Sequence, residues 1–217
     1  MKKILCAVSC AGVLCAAGPL NQVELNLGTT GANKGMANIV ASYKDDDKVA
    51  AKLLFGYQGF NKELGNASFK TKKSDYELSA YLGNVFLDNG VTDLAWYLIG
   101  GYHFSRISDG VKDSSSVNAD GFLWGAEIEA VANLGNQARA GFSVGYKNLY
   151  SGKKDFGNQT LKVKDDRIEI LVKGDVIVQD GVYIGAKLGM NKQRFSVGSA
   201  KYDDQQFVAY ATIGTTY

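Results

Sequence analysis

In ten stretches of this chain apolar and polar side chains alternate residue by residue, and the apolar set of all ten contains no charged residue. A period of two is that of a β-strand, whose successive side chains point to opposite faces of a sheet. The stretches cover residues 21–30, 35–43, 48–59, 75–86, 93–104, 121–132, 137–148, 167–178, 181–191 and 206–217, and Gly, Asn, Asp and Ser punctuate the sequence between them. Leu78, Leu98, Trp124, Val172 and Ile213 are typical of the apolar face. The opposite face carries Glu24, Lys52, Glu77, Glu127, Glu129, Arg139, Lys147, Glu169, Lys173, Asp175 and Lys187. A water-soluble barrel fills its centre with apolar residues and turns charges outward. In lipid the arrangement reverses, because closure pairs every backbone group and a charge facing the bilayer midplane costs about 2–4 kcal/mol. The expected fold is an all-β, antiparallel, up-and-down transmembrane β-barrel of ten strands, or of eight if the first pair does not join the wall.

The connections point the same way. From 44–47 onward, short turns (44–47, 87–92, 133–136, 179–180) alternate with long segments (60–74, 105–120, 149–166, 192–205). Short periplasmic turns and long external loops follow when both termini are periplasmic, and a soluble sandwich gives no reason for such alternation. Aromatic residues then fall into two interfacial belts. Tyr57, Tyr76, Tyr102, Phe104, Phe122, Trp124, Tyr146 and Phe207 lie toward the long loops, with Tyr43, Phe86, Trp96 and Tyr217 toward the short turns.

The N-terminus reads as an export signal: Lys2 and Lys3, an apolar run from Ile4 to Ala17 broken only by Ser9, and small residues at its end. Cleavage after Ala17 leaves one barrel domain, residues 18–217. All three cysteines, Cys6, Cys10 and Cys15, lie in the removed segment, so the mature chain has neither a disulfide nor a thiolate metal site. Loss of the two lysines reduces the basic residues from 24 to 22, equal to the acidic count. This balance gives no argument for a nucleic-acid partner. No run approaches 18 consecutive apolar residues, so helical spans are excluded.

The last stretch, Gln206 to Tyr217, ends on an aromatic residue after Phe207, Ala209, Ala211 and Ile213 at alternate positions. It resembles the closing strand of bacterial outer-membrane β-barrels, the segment their assembly machinery recognises. Thr215 departs from that pattern, in which the third residue from the end is usually more hydrophobic. The resemblance is to the class and to no single family. It implies a Gram-negative outer membrane, contact with outer-membrane lipid and lipopolysaccharide, and delivery by the barrel assembly machinery.

Among the inward charges, six acids face five bases. An ion-selective pore concentrates one sign at its constriction, whereas paired charges close a narrow lumen. Ten strands also enclose less space than the 16–18 of open porins. The leading expectation is a largely salt-bridged lumen and a structural or surface-interaction role, with an extracellular ligand at the long loops. A narrow porin-like channel is the alternative, supported by inward glycines such as Gly101, Gly125 and Gly185, although that room could instead hold Tyr81, Tyr97, Tyr183 and Tyr210.

An outer-membrane esterase or protease is the third reading. His103, the only histidine, and Ser105 share a face, and this His-x-Ser pair resembles the base and nucleophile of outer-membrane lipid A deacylases. The flanking sequence departs from theirs, and the pair points inward rather than toward lipid. Asp109, Asp113 and Asp120 could supply an omptin-like aspartate pair, but the Asp-x-His partner is missing. Lys62, Lys70, Lys72 and Lys73 in one long segment, and Lys153, Lys154, Lys162 and Lys164 in another, could meet phosphates of lipopolysaccharide or acidic glycans, or simply stay solvated beside Asp155, Asp165 and Asp166. No metal or cofactor motif is present.

Overall fold

The computed structural model describes residues 21–30, 34–63, 70–109, 116–156, 159–179, 181–197 and 200–216. The expected export signal with its cysteines, and Tyr217, lie outside the described residues. Among the described residues eleven strands form: β1 (Gln22–Thr30), β2 (Lys34–Lys44), β3 (Val49–Glu63), β4 (Lys70–Asp88), β5 (Thr92–Asp109), β6 (Ser116–Asn118), β7 (Gly121–Asn133), β8 (Ala138–Phe156), β9 (Gln159–Gln179), β10 (Val182–Val197) and β11 (Ala200–Thr216). Ten of them make one antiparallel wall, each bonded to its neighbours in sequence order, while β6 adds a short return on β5. The sheet closes where β1 meets β11, in register from Gln22 opposite Thr216 to Thr30 opposite Val208. The first hairpin is a full part of the wall, so the barrel has ten strands rather than eight.

Closure decides what each face meets. Leu53, Leu98, Val172 and Phe122 are 60, 61, 57 and 71 % exposed on the outside. An apolar girdle of this extent needs a lipid surround. Inside, Tyr81, Tyr97, Tyr183 and Tyr210 are buried. They take up the room the sequence left with glycine: Tyr210 lies opposite Gly28, and Tyr183 opposite Gly214. At both glycines a Cβ would run into the facing tyrosine ring and a backbone carbonyl. Each ring packs against the glycine of its neighbour strand, where no side chain stands in its way.

Much of the segments expected as long loops is strand among the described residues: β3 continues to Glu63 and β4 starts at Lys70, β8 continues to Phe156 and β9 starts at Gln159, and β10 continues to Val197 and β11 starts at Ala200. β9 alone has 21 residues, about twice the 9–11 that a tilted strand needs to cross a bilayer. The outward apolar pattern stops at the edge of the girdle, but the hydrogen-bonded ladder continues because inward positions still pack. Val163 and Phe195 are each 1 % exposed in these upper segments. A bulge at Gly152, which adopts a φ of 68°, re-aims β8 within its upper part. β1 and β2, at 9 and 11 residues, are the shortest strands of the wall.

Gly28→Val should therefore lower the stability of the folded barrel by about 1–3 kcal/mol through overpacking against Tyr210. Urea unfolding in detergent micelles checks this, and adding Tyr210→Ala should recover part of the loss.

Candidate functional site

Nine of the eleven charged residues named above line one cavity, Arg139 and Asp175 are buried beside Gln22, and ion pairs join strands distant in sequence. Lys52 on β3 reaches Glu127 on β7 at 2.7 Å and also pairs with Glu129. Lys147 on β8 reaches Glu77 on β4 at 2.6 Å, where Ser79 donates a second hydrogen bond at 2.7 Å. Lys187 pairs with Glu24, and Lys173 lies 3.8 Å from Glu24 and 3.6 Å from Glu129. Arg139 contacts Asp175 at 3.3 Å, donates to Gln22 at 3.0 Å and stacks 3.9 Å from the centre of the Tyr183 ring. Glu169 accepts a hydrogen bond from the Tyr210 hydroxyl at 3.4 Å. Charges this buried need such partners, since an unpaired one costs several kcal/mol.

A second cluster fills the end of the lumen away from the termini. Lys73 and Arg167 each bind both Asp75 and Asp165, with 2.8 Å for Lys73 to Asp75 and for Arg167 to Asp165. Gln193 donates to both Asp165 oxygens at 3.0 Å. Arg167 also donates to Gln58 at 3.0 Å. Gln58 on β3 and Arg167 on β9 stand five places apart around a ring of ten, directly across the lumen. This corrects the reading of Lys73 and Asp165 as solvated loop charges: they are 2 and 1 % exposed. The signal for them was the continued alternation Lys73-x-Asp75-x-Glu77 and Asp165-x-Arg167-x-Glu169.

Between the two sets lies a polar cavity of about 150 Å³, lined among others by Asn38, Glu127, Lys147, Glu169 and Lys187. Charged side chains share its lining with Met36, Leu54, Phe142 and Leu171. At the other end, Lys44 binds Asp88 at 2.9 Å and Asp93 at 3.1 Å. The hydrogen bond from Lys44 holds the exposed Asp88 carboxyl below its ordinary pKa.

His103 and Ser105 do meet, Nδ1 to Oγ at 2.9 Å, and Ser151 lies 3.3 Å from Nε2. However, the Ser105 hydroxyl donates to Asp75, and His103 and Ser105 are 1 and 2 % exposed. A serine whose proton is held by a carboxylate is not aligned for deprotonation by the histidine. Asp120 accepts from the Ser105 backbone at 3.1 Å; Asp113 and the side chain of Asp109 lie outside the described residues. The pair is thus part of the charged packing at the mouth.

The outward aromatics toward that mouth pack in three groups. Tyr57 packs on Tyr76, Tyr102 on Phe104 and Phe122, and Trp124 on Tyr146, with ring centres 4.9–5.8 Å apart. Toward the termini, Phe86 and Trp96 are exposed and Tyr43 is half-buried, while Tyr217 is outside the described residues.

No protein-family model and no curated protein matches the sequence. The solved structures to which it is similar are outer-membrane β-barrels. They include a KdgM porin (10 % identity, 90 % of this chain and 99 % of that one, TM-score 0.41). LpxR from Salmonella typhimurium is another (8 %, 90 and 100 %, 0.46). So is the translocator domain of autotransporter NalP from Neisseria meningitidis (14 %, 100 and 94 %, 0.40). At these values the likeness is one of barrel architecture and carries no residue correspondence.

Replacing Lys147 with Met strands Glu77 in the lumen and should cost about 3 kcal/mol. Adding Glu77→Gln should restore a substantial part, so a double-mutant cycle on urea midpoints should give a coupling of about 1–3 kcal/mol. Additive losses would mean that the two side chains do not pair.

Proposed function

We propose that the chain is an integral protein of a bacterial outer membrane, with periplasmic termini and a lumen closed by its own ion pairs. It acts through its outer surface as a structural or surface-interaction protein. The observation that carries this reading is the outer-mouth cluster, in which Lys73, Asp75, Asp165 and Arg167 neutralise one another across the bore. An ion entering there would have to displace partners already in contact, and no single sign is in excess to attract it. In this reading the upper hairpins stand outside the membrane as stiff extensions of the wall, and an extracellular ligand would meet them rather than flexible loops. The strand Ala200–Thr216 is the segment the assembly machinery would engage.

A narrow porin-like channel is the second reading, favoured by the charged cavity between the two ion-pair sets. Planar-bilayer recording on the refolded mature chain, with a heat-sensitive folded band on a gel as the control for folding, separates the two. The closed reading expects a folded protein without steady conductance steps, and short-lived steps once Lys73→Ala and Arg167→Ala are combined. Stable, reproducible steps from the unaltered chain would overturn it in favour of the channel.

A further inference from the structure

The outward surface just above the apolar girdle is not the same all the way round. On β3, β4, β5 and β7 it is aromatic, through Tyr57, Tyr76, Phe104 and Phe122. On β9 and β10 it is basic, as it is on β8 beyond the outward Tyr146 and Tyr150. Lys153, Lys162, Lys164 and Arg194 are exposed there and Lys192 is half-exposed.

Among the described side chains of this face, five cations stand against two carboxylates. Asp203 is shared between Lys192 at 3.7 Å and Arg194 at 3.3 Å. Asp166 is engaged by the Tyr146 hydroxyl at 3.0 Å and by the Asn148 amide. Lys153 and Lys162 sit directly opposite each other on paired strands. Like charges in that position repel, and an anion placed between them removes the penalty.

Position decides what kind of anion. Along the outward face of β10, Leu188 and Met190 are followed at once by Lys192 and Arg194; along β9, Ile170 and Ile168 are followed by Asp166, Lys164 and Lys162. On β10 the first cation, Lys192, is two residues from Met190, about 7 Å along the strand, and on β9 the first cation, Lys164, is four residues from Ile168, about 13 Å. A soluble polyanion would reach the hairpin tips first. A group anchored at the hydrocarbon boundary meets the side of the wall, where lysine stems can lie on the girdle with their heads at headgroup level.

We infer that this basic face of β8–β10 binds the phosphate groups of an outer-leaflet lipid, a phosphorylated glycolipid, with Lys162, Lys164 and Arg194 as phosphate ligands. The guanidinium of Arg194 suits two phosphate oxygens, and the lysines act as point charges. The inference rests on the outer-membrane reading above and names its lipid partner.

The test uses the mature chain in phosphatidylcholine vesicles, titrated with bisphosphorylated lipid A or with its dephosphorylated counterpart, after protease protection and a heat-sensitive band have confirmed insertion. Preference for the phosphorylated lipid should be about tenfold or more, because each basic side chain near a charged membrane surface contributes a severalfold gain. The triple variant Lys162→Gln, Lys164→Gln, Arg194→Gln should lose that preference while inserting normally, and Arg106→Gln on β5 should keep it. Equal binding of the two lipids, or an unchanged triple variant, overturns the inference and leaves the membrane reading intact. Binding of heparin through the same residues without a preference for the phosphorylated lipid also overturns it, in favour of a soluble polyanion. Failure of the unaltered chain to insert into any vesicle overturns the membrane reading and the lipid site together.

Discussion

Every feature of this molecule depends on the seam between β1 and β11. A sheet with an apolar outer face in lipid has no solvent to satisfy the N–H and C=O groups of an open edge, and each unmet group there costs several kcal/mol. The nine paired positions from Gln22 to Thr30 remove that edge. Once the sheet is a ring, alternation leaves each side chain only two destinations, the lipid or the lumen. Strand number then limits the size of the lumen, and it is the small bore that lets Lys52 reach Glu127 and Arg167 reach Gln58 across it.

The interior answers two demands with the same residues. Large side chains must fill a narrow tube, and polar atoms must be satisfied where bulk water is scarce. Tyrosine meets the first at Gly28 and Gly214, where the neighbouring strand yields space to the ring. Lysine and arginine meet the second while adding contact with aromatic faces, as Lys52 does 4.2 Å from the centre of the Tyr97 ring. Buried ion pairs add little stability over well-packed apolar residues, but they penalise wrong registers heavily, because a one-residue slip would turn charges such as Lys147 and Glu77 toward lipid.

Much of this was legible in the sequence. Ten strands, the clean outer face and the eleven inward charges follow from period-two alternation, which depends only on local geometry. The upper third was not legible, because the criterion for a strand was an apolar outward face. Above the girdle that face becomes polar, as at Asp166 and Lys164, and the sequence then looks like loop although the backbone ladder persists. The inward half of the pattern survived in Lys73, Asp75, Asp165 and Arg167. Their pairing across the bore could not be read, because partners such as Lys73 and Asp165 lie 92 residues apart and no local rule brings them together. His103 and Ser105 were legible as sharing one face, but Asp75, which accepts a hydrogen bond from the serine hydroxyl, comes from the neighbouring strand and could not be read.

The extended hairpins change what the outer surface can do. A flexible loop loses conformational entropy when it binds, on the order of 1–2 kcal/mol for each backbone residue fixed. A hairpin whose backbone is already paired, and whose inner face is anchored by Leu149, Val163 and Phe195, has little left to lose. Such a surface favours ligands that match a fixed spacing of groups. On β8–β10 that spacing is set by the ladder: Lys162 and Lys164 stand two residues apart on one strand, and Arg194 lies level with Asp166 on the next. The ladder that seals the backbone from lipid therefore also fixes the geometry of charge at the membrane boundary. A substitution that shifted the register of β9 would disturb the lumen pairs and the outer basic face together.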